Sequence, residues 1–139
     1  MTDITATAAK IGLVFPDAAE VYDKIAAVAI TAGQTVYFNT SGKSALCDTN
    51  AAGAQQFRGV ALNSAGAGQA VSVCKRGTLY GYDLSGLAYD ALVYCSDTAG
   101  ALADAAGTLT VNAGRVVPLS DSDLTKVLYI EADWLRTWA

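Results

Sequence analysis

The chain contains no histidine and only three cysteines among its 139 residues. Without histidine the commonest general base is missing, and Ser–His and Cys–His nucleophile pairs are excluded. The cysteines are widely spaced and include no CxxC pair, and without histidine the usual zinc ligand sets are reduced to all-cysteine or carboxylate-containing ones. We expect free thiols, as in a reducing compartment, with Cys74 and Cys95 in strand cores.

Charge and long apolar runs are also scarce. Only 16% of the residues are charged, against about 25% in an average domain. The longest apolar run, Ile25 to Ile30, is far too short to span a bilayer, so we expect no membrane partner. The net charge is −4 and the basic residues are dispersed along the chain, which argues against nucleic-acid binding. The first ten residues lack the pattern of a signal peptide, and we expect synthesis and use in the cytoplasm.

Motifs for cofactors and metals are incomplete. Gly66–Gly68 is too short for a dinucleotide loop, and Gly42–Ser44 lacks the upstream glycine of a phosphate-binding loop. Two carboxylate pairs are conceivable acid–base groups, Asp121 with Asp123 and Glu131 with Asp133, and the first is also a conceivable calcium site. Both pairs fit solvated turns or strand ends better. We therefore expect no enzyme, no cofactor and no metal. A ligand-binding barrel would instead require a cavity with convergent polar groups.

Period-two apolar alternation between glycine-containing breaks dominates the rest of the chain. It is clearest in Phe57–Asp83, which predicts three strands separated by turns at Ser64–Gly68 and Lys75–Gly77. The same pattern predicts further strands, hairpins and a loop: a strand at Thr35–Asn39, a turn at Thr40–Lys43, a strand at Ser44–Cys47, a loop at Thr49–Gln56 and a strand pair within Leu92–Leu102. The fold class predicted is all-β, a small barrel or sandwich of short antiparallel strands.

The N-terminal region is less regular. Met1–Lys10 predicts a flexible, extended arm, and Ile11–Phe15 a short strand. Asp17–Lys24 fits a helical turn with a capping box, although Val21–Ile30 could also be one extended segment, and we favour a strand at Ala26–Ile30. We expect a single domain over residues 1–139, with the arm and first strand in residues 1–25 and the barrel or sandwich in residues 26–139.

A weak internal repeat relates the two halves at an offset of 57 residues. Val36-Tyr37 aligns with Val93-Tyr94, and the RxVxL pattern beginning at Arg58 aligns with the one beginning at Arg115. Strand and turn order repeat as well, so we expect two similar halves that cover each other's edges.

The tail places Trp134 and Trp138 four residues apart, on one face if the segment were helical. Two interpretations stay open. The two rings cap one end of the barrel, or they anchor a neighbouring subunit, since tryptophan is enriched at interface hot spots.

Four segments in a fixed order carry a family resemblance: Ala32–Val36 (AGQTV), Gly59–Leu62 (GVAL), Val71–Gly77 (VSVCKRG) and Gly114–Val117 (GRVV). Their order is similar to that of the small capsid decoration, or head cement, proteins of tailed bacteriophages. The match covers residues 32–133, and its motifs are structural rather than catalytic.

The resemblance implies a β-rich virion protein that is made in the host cytoplasm, binds the major capsid protein on the outer capsid surface and stabilises the shell. It implies a homotrimer at threefold or quasi-threefold positions, with an N-terminal arm that contacts the capsid. A tail or fibre module that binds a receptor is the alternative. From the arm and the tail we predict six interface residues: Ile4, Ile11, Leu13, Phe15, Trp134 and Trp138.

Overall fold

A computed structural model describes residues 1–138. Within these residues the chain forms one curled antiparallel sheet of eleven strands, which confirms the all-β prediction. The strands are β1 (Asp3–Ile4), β2 (Gly12–Leu13), β3 (Glu20–Ile25), β4 (Thr35–Phe38), β5 (Ser44–Leu46), β6 (Gly59–Ala61), β7 (Ala70–Tyr80), β8 (Leu92–Cys95), β9 (Leu102–Ala103), β10 (Asn112–Pro118) and β11 (Lys126–Glu131). Short 3₁₀ helices lie at Ala8–Lys10 and Pro16–Ala18. In this part of the chain no helix has the length and apolar character needed to cross a membrane.

The two halves of the sheet have the same strand order. From one end the order is β9-β8-β10-β11, and from the other it is β5-β4-β6-β7, with β11 and β7 paired at the centre. The offset of 57 residues maps β4 (Thr35–Phe38) onto β8 (Leu92–Cys95) without a shift. The expectation of two similar halves is confirmed, and each half completes its core by pairing with the other.

Strand β7 is the hub of the sheet, and the turn predicted at Lys75–Gly77 is wrong. The strand runs unbroken from Ala70 to Tyr80 and pairs with β2 and β3 along one side and with β6 and β11 along the other. One extra residue, Lys75, sits in β7 between the partners of Glu20 and Val21. This bulge shifts the side-chain alternation by one residue, so Cys74 and Leu79 are both buried in the larger core although they lie an odd number of residues apart. A charged Lys-Arg-Gly triplet resembles a turn locally, but here it marks a bulge.

Two hydrophobic cores lie on the two faces of the sheet. The larger contains Phe57, Val60 and Leu79, and the smaller contains Val36, Ala61 and other small residues of the N-terminal half. Strand β6 is buried on both faces, which explains its uninterrupted apolar sequence. Just after β3, the Ala27 amide donates to the Ser44 carbonyl at 2.7 Å, so the N-terminal half curls back on itself around the smaller core.

The N-terminal segment departs from several predictions. Residues 1–10 do not extend away from the body as a flexible arm: β1 pairs with β9, and the Thr7 amide donates to the Gly81 carbonyl at 2.8 Å. The predicted strand at Ile11–Phe15 is confirmed as β2, though shorter. The helical turn predicted over Asp17–Lys24 is reduced to the 3₁₀ turn at Pro16–Ala18, and the strand favoured at Ala26–Ile30 is wrong. The alternative of one extended segment over Val21–Ile30 is confirmed in its first half, since β3 is Glu20–Ile25. Its backbone pairing with β7 overrides the local helical preference.

The regular central region follows the prediction closely. The hairpin of β4 and β5 turns at Thr40–Lys43, with Gly42 at φ +80°. No strand forms within Thr49–Gln56, and β8 pairs with β9 as expected. In this region the period-two pattern of apolar residues identifies the strands.

Candidate partner-binding surface

The six predicted interface residues lie in separate environments. Ile4 packs in the larger core beside β9, and Trp138 is 7% exposed in the same core. Both side chains are covered by the chain itself and do not present a surface to a partner.

Ile11 and Leu13 are half-buried, and both pack on glycines. A Cβ added at Gly81 would lie 2.6 Å from the Ile11 Cδ1, and one at Gly77 would lie 3.5 Å from the Leu13 Cδ2. Phe15 is 48% exposed and follows β2 at the protein surface. Of the four arm residues, Phe15 is the one whose side chain is open to solvent.

Trp134 is half-buried and fixed in position. Its indole N–H donates to the Arg58 carbonyl at 2.7 Å, and its ring centroid lies 4.9 Å from that of Tyr22 and 5.4 Å from that of Phe38. The Phe38 contact is edge-to-face, a favoured geometry for aromatic pairs. Three segments, β3, β4 and the distant tail, therefore hold one aromatic cluster.

Two ammonium groups lie over this cluster. The Lys24 Nζ is 5.9 Å from the Tyr22 ring centroid, 5.2 Å from that of Phe38 and 5.6 Å from that of Trp134. The Lys75 Nζ lies 5.4 Å from the Trp134 centroid. Each such contact contributes about 0.5–1 kcal/mol when partly exposed. Two of the nine basic residues, far apart in sequence, thus meet here beside the rings.

Glu20 organises the charges next to these rings. Its carboxylate lies 3.4 Å from the Lys75 Nζ and 3.9 Å from an Arg76 guanidinium nitrogen. The hydrogen bond and positive charge of Lys75, with a smaller contribution from the Tyr22 hydroxyl, lower the pKa of Glu20. These ion pairs are open to solvent and therefore position side chains more than they stabilise the fold.

Apolar side chains are exposed around the cluster. Leu135, next to Trp134, is 97% exposed, and Tyr22 is 40% exposed. Val21 and Ile25 of β3 are also exposed, but on the opposite face of the strand from Tyr22. We call the group formed by Tyr22, Lys24, Phe38, Lys75, Trp134 and Leu135 the aromatic–basic surface. Rigid aromatic groups bordered by charges are typical of protein-binding surfaces.

The end of the tail is held by hydrogen bonds to the chain itself and is not exposed to a partner. The Gln56 side chain accepts from the Trp138 amide and donates to the Trp138 carbonyl, both at 2.7 Å. Gln55 donates to the same carbonyl at 3.2 Å, and the Arg136 guanidinium stacks 3.8 Å from the centre of the Trp138 ring. The two tryptophans therefore differ: Trp138 closes a core, while Trp134 supports an exposed cluster.

The candidate carboxylates Asp123 and Glu131 are engaged in a turn and in an ion pair. Asp123 accepts from the Thr125 amide and hydroxyl at 3.0 and 2.7 Å, and these bonds lower its pKa. Glu131 lies 3.6 Å from the Arg76 guanidinium and accepts from the Tyr129 hydroxyl at 2.7 Å. Among residues 1–138, no group of three or more histidine, cysteine or acidic residues is placed to hold a metal ion.

The thiols are buried in the sheet. Desolvation raises the pKa of Cys74 to about 11. Burial, together with contact with the Cys47 thiol, raises the pKa of Cys95 well above its ordinary value. Thiols in such surroundings are poor nucleophiles, because the reactive thiolate is disfavoured.

Sequence reasoning missed Tyr22, Lys24 and Phe38. Tyr22 and Lys24 lie in a segment whose sequence fits a helical turn, and Phe38 lies in a correctly predicted strand whose sequence gives no sign of its spatial neighbours. Comparison of the chain with protein-family models, curated proteins and solved structures found no match.

Proposed function

We propose that the chain is a structural virion protein that binds the outer surface of a tailed-bacteriophage capsid and stabilises the shell. In this proposal it is made in the host cytoplasm, contacts the major capsid protein and occupies threefold or quasi-threefold positions as a homotrimer. It acts without a cofactor, a nucleic acid or a membrane.

The aromatic–basic surface is the observation that carries the proposal. It offers exposed apolar and cationic groups on a base fixed by the Trp134–Arg58 hydrogen bond, which suits docking on another protein. If many copies bind one shell, their individually modest contacts would together give strong attachment.

The resemblance supplies the identity of the partner. Its four segments fall in or beside β4, β6, β7 and β10, which are interior strands of the sheet. The similarity therefore concerns mainly the framework, while the groups of the aromatic–basic surface, apart from Lys75 on β7, lie on β3, at the end of β4 and in the tail.

Co-sedimentation tests the proposal directly. Purified chain is mixed with expanded capsids of the encoding phage that have been stripped of decoration protein, and the pellet is quantified. We expect saturable binding at micromolar concentration and a higher temperature of capsid disruption. Absence of binding at that concentration would refute the proposal.

A pair of surface variants locates the contact. Leu135→Asp places a charge on the aromatic–basic surface, and Leu124→Asp places one on another exposed leucine, 61% exposed. Both should leave the fold intact, since neither side chain is buried. We expect Leu135→Asp to weaken capsid binding at least tenfold and Leu124→Asp to leave it unchanged.

The tail or fibre alternative predicts a different result. The exposed Tyr22 ring beside Trp134 also provides a flat apolar face for a receptor. Binding to host cells, lost in Leu135→Asp, together with no binding to capsids, would favour that alternative.

A further inference from the structure

Strand β3 has a free edge. It pairs with β7 along one side, and the part of the chain that the structure describes supplies no strand along the other. Most of its six residues are exposed. A free edge presents unpaired N–H and C=O groups that can bond to another strand.

The register with β7 shows which residues face outward. Asp23 is opposite Ser72, whose carbonyl accepts from the Leu62 amide at 2.8 Å on the far side of β7. The backbone groups of Asp23 therefore point away from β7, as do those of Val21 and Ile25 by alternation. The backbone groups of Tyr22 and Lys24 point toward β7 and form the hydrogen bonds between the two strands.

The free edge carries few of the devices that prevent strand pairing. It contains no proline, its bulge lies in β7 rather than in β3, and Val21 and Ile25 expose apolar side chains. Its charges are mixed in sign, with Glu20 and Lys24 on the same face of the strand. Among residues 1–138, no carboxylate pairs with Lys24, whose ammonium lies over the rings instead.

We propose that β3 pairs antiparallel with β3 of a second copy, across a twofold axis at Tyr22. In this register Tyr22 faces Tyr22, Glu20 of each copy faces Lys24 of the other, and Val21 faces Asp23. The two Glu20–Lys24 contacts supply the acid that Lys24 lacks within its own chain.

Neighbouring registers are disfavoured by charge. An axis at Asp23 places two carboxylates opposite each other, and an axis at Lys24 places two ammonium groups opposite each other. An axis at Val21 places neither Glu20 nor Lys24 opposite a residue of the other sign. The charge pattern of β3 is thus self-complementary in one register.

The twofold contact goes beyond the proposed function and does not depend on it. It can coexist with trimers, since an icosahedral shell has twofold axes between its threefold positions. The contact is isologous, so one surface serves both copies.

Charge reversal tests the pairing. Sedimentation equilibrium of the whole chain in the absence of capsids, where no shell assembles the trimers, should give a dimer for the unmodified protein. Glu20→Lys and Lys24→Glu should each raise the dimer dissociation constant about tenfold or more, because both ion pairs become repulsive contacts. The double variant Glu20→Lys/Lys24→Glu should restore dimerisation. Weak pairing becomes detectable at protein concentrations on the order of 100 µM. If the unmodified chain is a monomer at that concentration, the proposal is overturned.

Cysteine substitution tests the register. Tyr22 would form a non-hydrogen-bonded pair with its copy, where Cα atoms are about 4.5 Å apart, within the range that a disulfide spans. Tyr22→Cys should link two copies on treatment with oxidised glutathione, while the control Asp23→Cys should not. The native thiols are buried and should not interfere. Equal linking of both variants, or of neither, would overturn the register.

Discussion

Replacing Trp138 with alanine tests whether the end of the tail belongs to the fold. The ring is 7% exposed in the larger core, and the Gln56 amide bonds to both backbone groups of Trp138. Truncating a buried tryptophan costs about 3–5 kcal/mol. For a domain of this size each kcal/mol corresponds to roughly 3–5 °C, so we expect Tm to fall by roughly 10–25 °C.

Trp138→Phe is the matched control. Within the described residues the Trp138 indole N–H is buried without a hydrogen-bond acceptor, so phenylalanine removes no hydrogen bond. It keeps a ring for Arg136 to stack on, and the loss should stay below about 1.5 kcal/mol.

Circular dichroism is the suitable assay, because removing a tryptophan changes the fluorescence. If Trp138→Ala lowered Tm by less than about 3 °C while abolishing partner binding, the tail would be an anchor and the reasoning from burial would be refuted.

Three further predictions follow from the strands. Gly114→Ala should destabilise the chain by about 3 kcal/mol or more in urea unfolding, because its Cβ would lie 1.9 Å from the Tyr129 carbonyl oxygen. Glu20→Gln should lower stability slightly at pH 7, and the difference should shrink as the pH falls below 4.5: the pKa of Glu20 is lowered by Lys75, so its contribution exists above the ordinary value of 4.5 and is lost as pH falls through the lower folded value. Because the pKa of Cys74 is raised to about 11 and all three thiols are buried, Ellman's reagent at neutral pH should react only after unfolding, with three equivalents.

Each of these predictions has a control or a contradicting result. Gly12→Ala introduces a Cβ with no neighbour within 4 Å and should be nearly neutral, unlike Gly114→Ala. For Glu20→Gln, the urea midpoints of the variant and the unmodified chain should converge as the pH falls, and parallel curves would contradict the argument. A thiol that reacts within seconds in the native state would show that the buried cysteines are accessible.

Strands with one buried face could be predicted from sequence because alternation records that burial. Strands β4 and β8 were found in place from their Val-Tyr pairs, and the repeat that relates them also predicted two similar halves. These features are local, or repeat at a fixed spacing, so a single sequence contains them.

Features that depend on pairing could not be predicted. Strand β3 exposes most of its side chains and therefore shows no buried alternation, and its position is determined by β7. The sequence around Lys75 is typical of a turn, and only the pairing of β7 with β3 shows that Lys75 is the extra residue of a bulge. The contact of Trp134 with Tyr22 and Phe38 joins segments about a hundred residues apart, and no sequence pattern indicates that these residues meet.

The pairing of β1 with β9 also determines when the fold can be completed. Asp3 and Ile4 bond to Ala103 and Leu102, so the first strand has no partner until the ribosome has passed residue 103. At about 5–20 residues per second, that interval lasts roughly 5–20 s. Ile4, which ends in the larger core, stays exposed throughout. The start of the chain is therefore among the last parts to be secured, and dependence on such distant contacts favours slow folding.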